Sequence, residues 1–267
     1  MEIKTTRFSS FDGLELKEAS FRNHVFPAHF HDTYSIGIIE KGIERLSFDN
    51  KAILAHAHTV VVINPYDIHA NSFFDDDAWK YRALYVSPDI MRHIQNKLGL
   101  FVGQTVSFPK QLMDDAMLYK MVLQLFATGT EDEKQTKLYS LLEHLLKHHA
   151  AVRPETEKLR VINGILDAPG YIEQHYTEKI AADEMSARYG MDKYQFIRAF
   201  KKQHGLTPVS YQLLKRINHA KRLIGEGMSV TEVALEVGFY DQSHFTHYFK
   251  KYIGVAPLLY RKGLLTA

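Results

Sequence analysis

Residues 229–257 read SVTEVALEVGFYDQSHFTHYFKKYIGVAP, and this stretch decides the fold of the second half of the chain. Ser229 is a good helix N-cap, and Glu232 stands three residues later, where its side chain can complete a capping box. Apolar residues then recur at helical spacing, at Val230, Val233, Ala234 and Val237. Gly238 predicts the end of this helix, because glycine tolerates the left-handed backbone conformation found at helix C-termini.

A second helix is predicted directly after this glycine, with Asp241 at its start. Its apolar positions recur at helical spacing, at Phe245, Tyr248, Phe249 and Tyr252. Gly254 and Pro257 predict where it ends. Two short helices joined by a short turn that contains glycine form a helix-turn-helix. The second helix of such a unit is the one that enters the major groove of DNA.

The same pattern occurs upstream, at 180–205, which reads IAADEMSARYGMDKYQFIRAFKKQHG. Gly190 corresponds to Gly238. After a shift of one residue for the longer second turn, Phe196 and Phe200 correspond to the phenylalanine pair of the downstream unit. Both units also end alike, in HGLTP and in IGVAP. This internal repeat predicts two helix-turn-helix units.

The segment between the two units, Val209–Ile224, has no helix breaker and is predicted to form one continuous helix. Its length is about 24 Å at about 1.5 Å per residue. A rigid spacer of this size can set two recognition helices, predicted at 192–204 and 241–252, into successive major-groove segments, which lie roughly 34 Å apart.

The region from about 165 to 262 resembles the double helix-turn-helix DNA-binding domain of the AraC/XylS family of transcription regulators. The residues that carry the resemblance are Arg198-x-Phe200-Lys201-Lys202, Gly205-x-x-Pro208, Ala220-x-x-Leu223, Val233-Ala234 and GFYDQSHFTHYFKKYIGVAP at 238–257. The resemblance implies a sequence-specific DNA-binding regulator, usually an activator, without enzymatic activity. Its implied partners are double-stranded DNA, a small-molecule effector, RNA polymerase and a second copy of the chain.

The outward-facing positions of the two predicted recognition helices are the candidate DNA contacts. The resemblance places base contacts in the first helix at Tyr194, Ile197 and Arg198, and in the second at Gln242, Ser243, Thr246 and His247. The DNA-binding surface is completed by Lys193, Gln195, Lys201, Lys202, Lys250 and Lys251. Residues 192–262 hold 12 Lys and Arg against 5 Asp and Glu, which is the charge excess that contact with phosphates requires.

Composition excludes several classes of protein. The 267 residues carry a formal net charge of +2 and no cysteine, which excludes disulfide scaffolds and thiolate metal sites. No uncharged apolar run approaches the roughly 18 residues of a membrane span, and the N-terminus lacks the apolar core of a signal peptide. The sequence therefore predicts a cytoplasmic protein with no membrane contact.

The first part of the chain, 13–86, is predicted to form strands. Short segments rich in β-branched and aromatic residues alternate there with turn residues, at Leu14–Phe21, Tyr34–Glu40, Ile43–Phe48, Thr59–Ile63 and Lys80–Val86. Many short strands without helices between them favour a β-sandwich or barrel, predicted at about 1–88. Helices follow at about 89–150, and the polar stretch 152–155 is the predicted linker between domains 1–152 and 153–267.

Three histidines mark the candidate effector site. His29-Phe30-His31, then Pro65 and His69, resemble a cupin, the small jelly roll that serves as sensory domain in many AraC-type regulators. Cupins that bind metal continue to a glutamate four or five residues after the His-x-His pair, and Ser35 and Ile36 stand there instead. We therefore predict no metal or other cofactor, and an effector site formed by His29, His31, Tyr34 and His69. The competing hypothesis is a cupin metalloenzyme with an appended helical domain.

The helix predicted at 133–150 has a leucine face. Its members are Leu138, Leu141, Leu142, Leu145 and Leu146. A face this wide packs on something. Two alternatives are packing on the chain's own barrel and, by the family resemblance, a homodimer interface. We predict the homodimer interface, through Leu138, Leu141, Leu142 and Leu145. The predicted fold class is thus a multidomain α+β protein, a cupin-like barrel with a helical hairpin followed by an all-α domain.

Overall fold

The structure, a computed structural model, describes residues 2–7, 14–48, 51–74, 78–127, 129–152 and 167–265. Residues 153–155 of the predicted linker lie outside these ranges. The described residues form two compact units, one comprising most of residues 2–152 and the other most of residues 167–265. The first is rich in strands and the second is helical, which confirms the predicted fold class.

The described strands lie in the first unit, except for Phe26–His29 of β3. They are β1 (Glu2–Arg7), β2 (Glu15–Phe21), β3 (Val25–His29), β4 (Tyr34–Lys41), β5 (Ile43–Phe48), β6 (Lys51–His56), β7 (Val60–Ile63), β8 (His69–Phe73), β9 (Trp79–Val86), β10 (Val106–Ser107), β11 (Leu112–Met113) and β12 (Ala151–Val152). One sheet has the order β1-β2-β9-β4-β7-β11 and the other β3-β8-β5-β6, and β10 pairs with β12. The five predicted strands are confirmed as β2, β4, β5, β7 and β9, with boundaries within one residue.

The two faces of β4 pack against different parts of the first unit. Ile36 and Ile38 belong to a core shared with the helices, whereas Ile39 belongs to a second core with Leu46 and Val61 from the neighbouring strands. This follows from the geometry of a strand, in which successive side chains point to opposite faces. The face that carries Ile39 lines the interior between the two sheets, and the other face supports the helices.

Three helices cover the outer face of the larger sheet. They are α1 (Pro88–Leu98), α2 (Ala116–Ala127) and α3 (Glu131–His149). Thr130 caps α3 through a capping box with Glu133. Helix α3 packs against α1 and α2.

The prediction that Leu138, Leu141, Leu142 and Leu145 form a homodimer interface is wrong. All four side chains have 0% exposure and lie in the core that the helices form with the larger sheet. An amphipathic pattern shows that a helix face is covered, but it does not show by what. The alternative, packing within the chain's own domain, is the correct one.

The second unit contains seven described helices. They are α4 (Ala168–His175), α5 (Ala182–Arg188), α6 (Lys193–His204), α7 (Pro208–Gly225), α8 (Val230–Glu236), α9 (Gln242–Ile253) and α10 (Pro257–Leu265). The predicted recognition helices correspond to α6 and α9 within one residue, and the predicted spacer helix corresponds to α7. Helix α7 packs against α4, α6, α8 and α9.

No helix in the described ranges has both the length and the apolar character that crossing a bilayer requires.

Candidate functional site

Helix α6 begins with a complete set of capping bonds. The Asp192 side chain accepts hydrogen bonds from the backbone N–H groups of Tyr194 and Gln195 at 2.8 and 2.9 Å, and the Gln195 side chain accepts one from the Asp192 N–H at 3.3 Å. Phe196 and Phe200 are fully buried on the inner face. These contacts fix the rotation of the helix about its axis, so its remaining face is directed to solvent.

The predicted DNA-contacting side chains of α6 lie on that outer face. Lys193, Gln195, Arg198, Lys201 and Lys202 are exposed, and Ile197 is half-buried. Tyr194 is 70% exposed. Two of them already have partners within the chain: Lys193 Nζ lies 3.0 Å from Asp183 Oδ2, and Gln195 takes part in the capping box.

Helix α9 repeats this arrangement. The Asp241 side chain accepts a hydrogen bond from the His244 N–H at 2.7 Å, and Phe245 and Phe249 are fully buried. Its predicted contact residues are exposed, apart from the half-buried Thr246, and they comprise Gln242, Ser243, Thr246, His247, Lys250 and Lys251. Gln242 Oε1 accepts a hydrogen bond from the Thr231 hydroxyl at 2.8 Å, which joins α9 to α8.

Arg216, on α7, holds the second helix-turn-helix unit to α4, and the sequence did not single it out. Its guanidinium donates to the carbonyl oxygens of Tyr176 and Glu178, which follow α4, and to that of Gly238, in the turn between α8 and α9. Gly238 has φ +83°, and a Cβ there would lie 2.1 Å from the Thr177 carbonyl oxygen. Only glycine fits this turn.

The candidate effector histidines lie close to one another. The rings of His31 and His69 are 5.3 Å apart, and His31 also packs edge-on against Tyr85 at 5.2 Å. Nδ1 of His29 and of His69 each lies within 2.9 Å of the carbonyl oxygen two residues earlier, which leaves Nε2 as the lone-pair nitrogen. One ring nitrogen from each of His29, His31 and His69 lies within 4.8 Å of the others.

Tyr34 does not join these histidines, so its assignment to the effector site is corrected. Its hydroxyl donates to the Val106 carbonyl oxygen at 2.8 Å, and its ring packs edge-on against Phe108. Tyr34 therefore lies on the helix-facing side of β4, and its neighbour Ser35 lies on the interior side, where it bonds Tyr85. The prediction treated closeness in sequence as closeness in space, which the alternation of a strand prevents.

Sequence reasoning missed the buried polar side chains of the interior. Glu15, Lys17 and Glu44 are each less than 8% exposed, although such residues are almost never fully buried unless paired. Asn71 Nδ2 donates to Glu44 Oε1 at 2.8 Å. The only available signal was their place on strands with the period-two pattern, and a charged residue in such a pattern is ordinarily assigned to the solvent face.

Burial shifts the ionisation of this interior. It raises the pKa of Glu44 to about 7, against the lowering effects of the Asn71 hydrogen bond and of Lys17. It lowers the pKa of His69 to about 4, although the bond to the Asp67 backbone acts in the opposite direction. Burial, with Glu15 and Glu44 nearby, raises the pKa of Tyr85 above its usual range. At neutral pH the interior therefore presents a neutral imidazole, neutral phenols and a carboxyl group near its midpoint.

The glutamate that completes the metal set of a cupin is missing at the expected positions. Such a set needs a carboxylate beside the three imidazoles, and Ser35 and Ile36 occupy the two candidate positions. The Ser35 hydroxyl bonds Tyr85, and Ile36 is fully buried in the helix-facing core. The interior groups are suited to hydrogen bonding with a small polar molecule.

Two protein families match the chain in the regions of these two sites. Residues 13–146 match the AraC-like ligand binding domain, and residues 185–263 match a helix-turn-helix domain. An uncharacterized HTH-type transcriptional regulator of Bacillus subtilis strain 168, YbfI, is 32% identical over 224 residues, which cover 82% of this chain and 81% of that protein. The HTH-type transcriptional activator RhaS of Klebsiella pneumoniae strain 342 is 26% identical over 249 residues, which cover 89% and 88%.

Solved structures of ToxT from Vibrio cholerae strain SCE256 have a similar fold. An apo variant has a TM-score of 0.62 at 14% identity, covering 97% of this chain and all of that one. The wild-type protein bound to an unsaturated fatty acid has a TM-score of 0.60 at 15% identity, covering 96% and 98%. The likeness to ToxT is one of fold.

Proposed function

Because the chain belongs to the AraC family of transcription regulators, having both its ligand-binding and its helix-turn-helix domains, we propose that it is an effector-responsive activator. It contacts two successive major-groove segments of duplex DNA through α6 and α9. The observation that carries the proposal is the pair of capped helices, each with two buried phenylalanines inside and an exposed polar and basic face outside.

The outer residues divide into two chemical roles. Arg198 can bond guanine through two donors, and Gln242 can bond adenine through its amide, so they specify sequence together with Tyr194, Ile197, Ser243, Thr246 and His247. The lysines of the last helical turns, Lys201, Lys202, Lys250 and Lys251, contact phosphates and position the protein. The exposed ion pair of Lys193 with Asp183 stabilises the free protein little, so Lys193 can exchange it for a phosphate.

The effector is a small polar molecule held between the two sheets. His31, His69, Glu44 and Lys17 supply donors and acceptors there, and Tyr85 supplies an aromatic wall with a hydroxyl. ToxT has been solved with an unsaturated fatty acid, but the buried charges of this interior favour a polar ligand over an aliphatic chain.

Activation requires partners beyond DNA. Relatives named RhaS are transcriptional activators, and we propose the same action here, through RNA polymerase at a promoter in the cytoplasm. We also propose a homodimer, which would bring two copies of the α6 and α9 pair to neighbouring sites. Its interface uses a surface other than the buried leucines of α3.

Selection of bound DNA from a random pool, with and without small polar metabolites, tests this function. We expect enrichment of two conserved blocks about 10 base pairs apart, one for each recognition helix. Gln242→Ala combined with His247→Ala should erase one block and leave the other, while the matched Tyr194→Ala and Arg198→Ala pair should erase the opposite one. Enrichment of a single block, unchanged by either pair, would contradict the two-helix assignment.

A further inference from the structure

A second group of potential metal ligands lies outside both sites, where α2 begins and α3 ends. Asp115 Oδ2 lies 2.9 Å from His144 Nε2 and 2.7 Å from His149 Nε2. The three ligand atoms all lie within 4.8 Å of one another. The side chains are 14%, 20% and 20% exposed, so they are held by the fold yet open to an ion from solvent.

The fold fixes each of the three side chains before any ion arrives. Asp115 Oδ1 accepts a hydrogen bond from the Leu118 N–H at 2.9 Å, which orients the carboxylate and directs Oδ2 to the imidazoles. His144 and His149 belong to the last turns of α3, beside the fully buried Leu145 and Leu146. Preorganisation of this kind reduces the entropy that ligand residues lose on binding.

The chemistry of the three atoms matches one class of ion. Two imidazole nitrogens and one carboxylate oxygen are borderline ligands suited to zinc, cobalt and nickel, rather than to calcium or magnesium, which take oxygen ligands. We propose that Asp115 Oδ2, His144 Nε2 and His149 Nε2 bind one divalent transition-metal ion, with Zn²⁺ as its representative and water completing the coordination.

The required rearrangement is small. Ligands at about 2.0–2.1 Å from a tetrahedral ion lie roughly 3.3 Å from each other, so the present N–O pairs open by about half an ångström. Each imidazole moves its proton from Nε2 to Nδ1, and the ion takes the place of the two N–H groups that now face the carboxylate. The Leu118 N–H remains on Oδ1 as the outer-shell partner that keeps the carboxylate oriented.

A bound ion would tie the start of α2 to the end of α3. His149 is the last residue of α3, and Ala151–Val152 follow it as β12, paired with β10. The ion would therefore fix the end of the helical layer just before residues 153–166. This inference is independent of the proposed DNA-binding function, because none of its residues belongs to α6, α9 or the interior between the sheets.

Equilibrium binding of Zn²⁺ and Co²⁺ to the full-length, tag-free chain tests the site. The test variants are His149→Gln, His144→Gln and Asp115→Asn. Asn keeps the oxygen that accepts from the Leu118 N–H, so the helix start is preserved. The matched control is His93→Gln, which changes an exposed histidine of the same helical layer. His31→Gln reports on the other histidine group.

We expect the wild type and both control variants to bind Co²⁺ with visible absorption bands typical of nitrogen and oxygen ligands. Each test variant should raise the Zn²⁺ dissociation constant at least about tenfold, since even loss of an outer-shell partner costs about 10–100-fold. Zn²⁺ should raise the Tm of the wild type and His93→Gln, and this rise should disappear in His149→Gln. Circular dichroism confirms that each variant is folded.

Two outcomes would overturn the proposal. One is metal binding that survives His149→Gln and Asp115→Asn but is lost in His31→Gln, which would assign the ion to the other histidine group. The other is the failure of folded wild-type protein to bind Zn²⁺ or Co²⁺ at micromolar concentration, in which case the three side chains form only a hydrogen-bonded contact between α2 and α3.

Discussion

Glu44 is an acid enclosed between two sheets, and its ionisation is coupled to folding. Its pKa is about 7 in the folded chain and 4.5 as the reference value for the unfolded chain. Because the folded value is higher, the folded state binds the extra proton between these two limits. The stabilisation is fully present below pH 4.5 and is lost as the pH rises to about 7. His69 acts in the opposite direction, since its pKa is lowered from 6.5 to about 4.

Glu44→Gln should therefore change the pH dependence of stability. Gln stays neutral and keeps an oxygen that can accept from Asn71. We expect the variant to exceed the wild type in free energy of unfolding by up to about 3 kcal/mol at pH 8, and to match it near pH 4. Urea titrations at pH 4, 6 and 8 measure the difference, in which the contribution of His69 cancels. The exposed Glu184→Gln is the control, and a difference that does not vary with pH would contradict the burial of this charge.

Arg198 and Lys251 should behave differently on DNA although both are exposed cations. Arg198→Ala should weaken binding to a selected site by about 1–3 kcal/mol and relax the preference at one base position, because a base contact specifies sequence. Lys251→Ala should weaken binding to every sequence alike and reduce the salt dependence by about one phosphate contact. Gel-shift titrations over a range of salt concentrations distinguish them. Unchanged affinity of Arg198→Ala for its selected site would refute the assigned base contact.

The elements of the second unit were predictable because their signals are local. The Ser229–Glu232 capping box, the aspartate caps of α6 and α9, and the glycines after α5 and α8 all act within a few residues of chain. The structural role of Arg216 was not predictable, because its guanidinium donates to three carbonyl groups that are distant in sequence. The turn between α8 and α9 is thus held by a tertiary contact in addition to its own glycine.

Gly238→Ala should destabilise this turn strongly. A Cβ at φ +83° is unfavourable by roughly 1–2 kcal/mol on its own, and contact with the Thr177 carbonyl oxygen adds to that. The matched control is Gly190→Ala, at the equivalent turn between α5 and α6, which has φ +63° but no atom within 4 Å of the added Cβ. Thermal unfolding compares the two. Equal losses would show that close approach to α4 contributes nothing.

Helix α3 shows a limit of sequence patterns at the scale of a single secondary-structure element. Its leucines were equally consistent with burial inside one chain or between two, because periodicity reports coverage and does not identify the covering surface. Leu145→Ala should cost about 2–5 kcal/mol of stability as a large-to-small change in a core, whereas the exposed Lys147→Ala should cost little. Leu141→Glu with Leu145→Glu should unfold the helical layer, seen by loss of near-ultraviolet circular dichroism. A folded double variant would contradict their burial.

At the scale of the molecule, the sequence predicted two domains and their kinds but not the contents of the first one's interior. Strands β3, β6 and β8 were among those missed, because VFPAH, KAILAH and HANSF have weak β-propensity, and VFPAH also contains a proline. Without β8 the neighbours of Glu44 could not be known. The pairing of distant strands decides which charged side chains point inward. Local patterns in a single sequence do not reveal that pairing.

His31→Ala should separate the activities of the two domains. We expect the variant to lose its response to an effector found by thermal-shift screening, because an imidazole that donates and accepts hydrogen bonds is removed. An effector that changes DNA affinity has a coupling free energy, typically of about 1–3 kcal/mol. DNA binding titrated with and without the ligand measures it. Retention of the full coupling in His31→Ala would place the effector elsewhere.

The continuous helix α7 constrains the DNA targets that the protein can bind. It packs against α4, α6, α8 and α9 over its 18 residues, so the two recognition helices cannot shift independently along DNA. The base sequence of each of the two contacted DNA segments can change one base at a time, and each mismatch weakens binding by about 1–3 kcal/mol. A base pair inserted or deleted between the two contacted segments rotates one segment relative to the other about the duplex axis. Because α7 is one continuous helix, the recognition helices cannot adjust to this rotation. The DNA targets of this protein should therefore vary in base sequence, but hardly at all in the spacing between the two contacted segments.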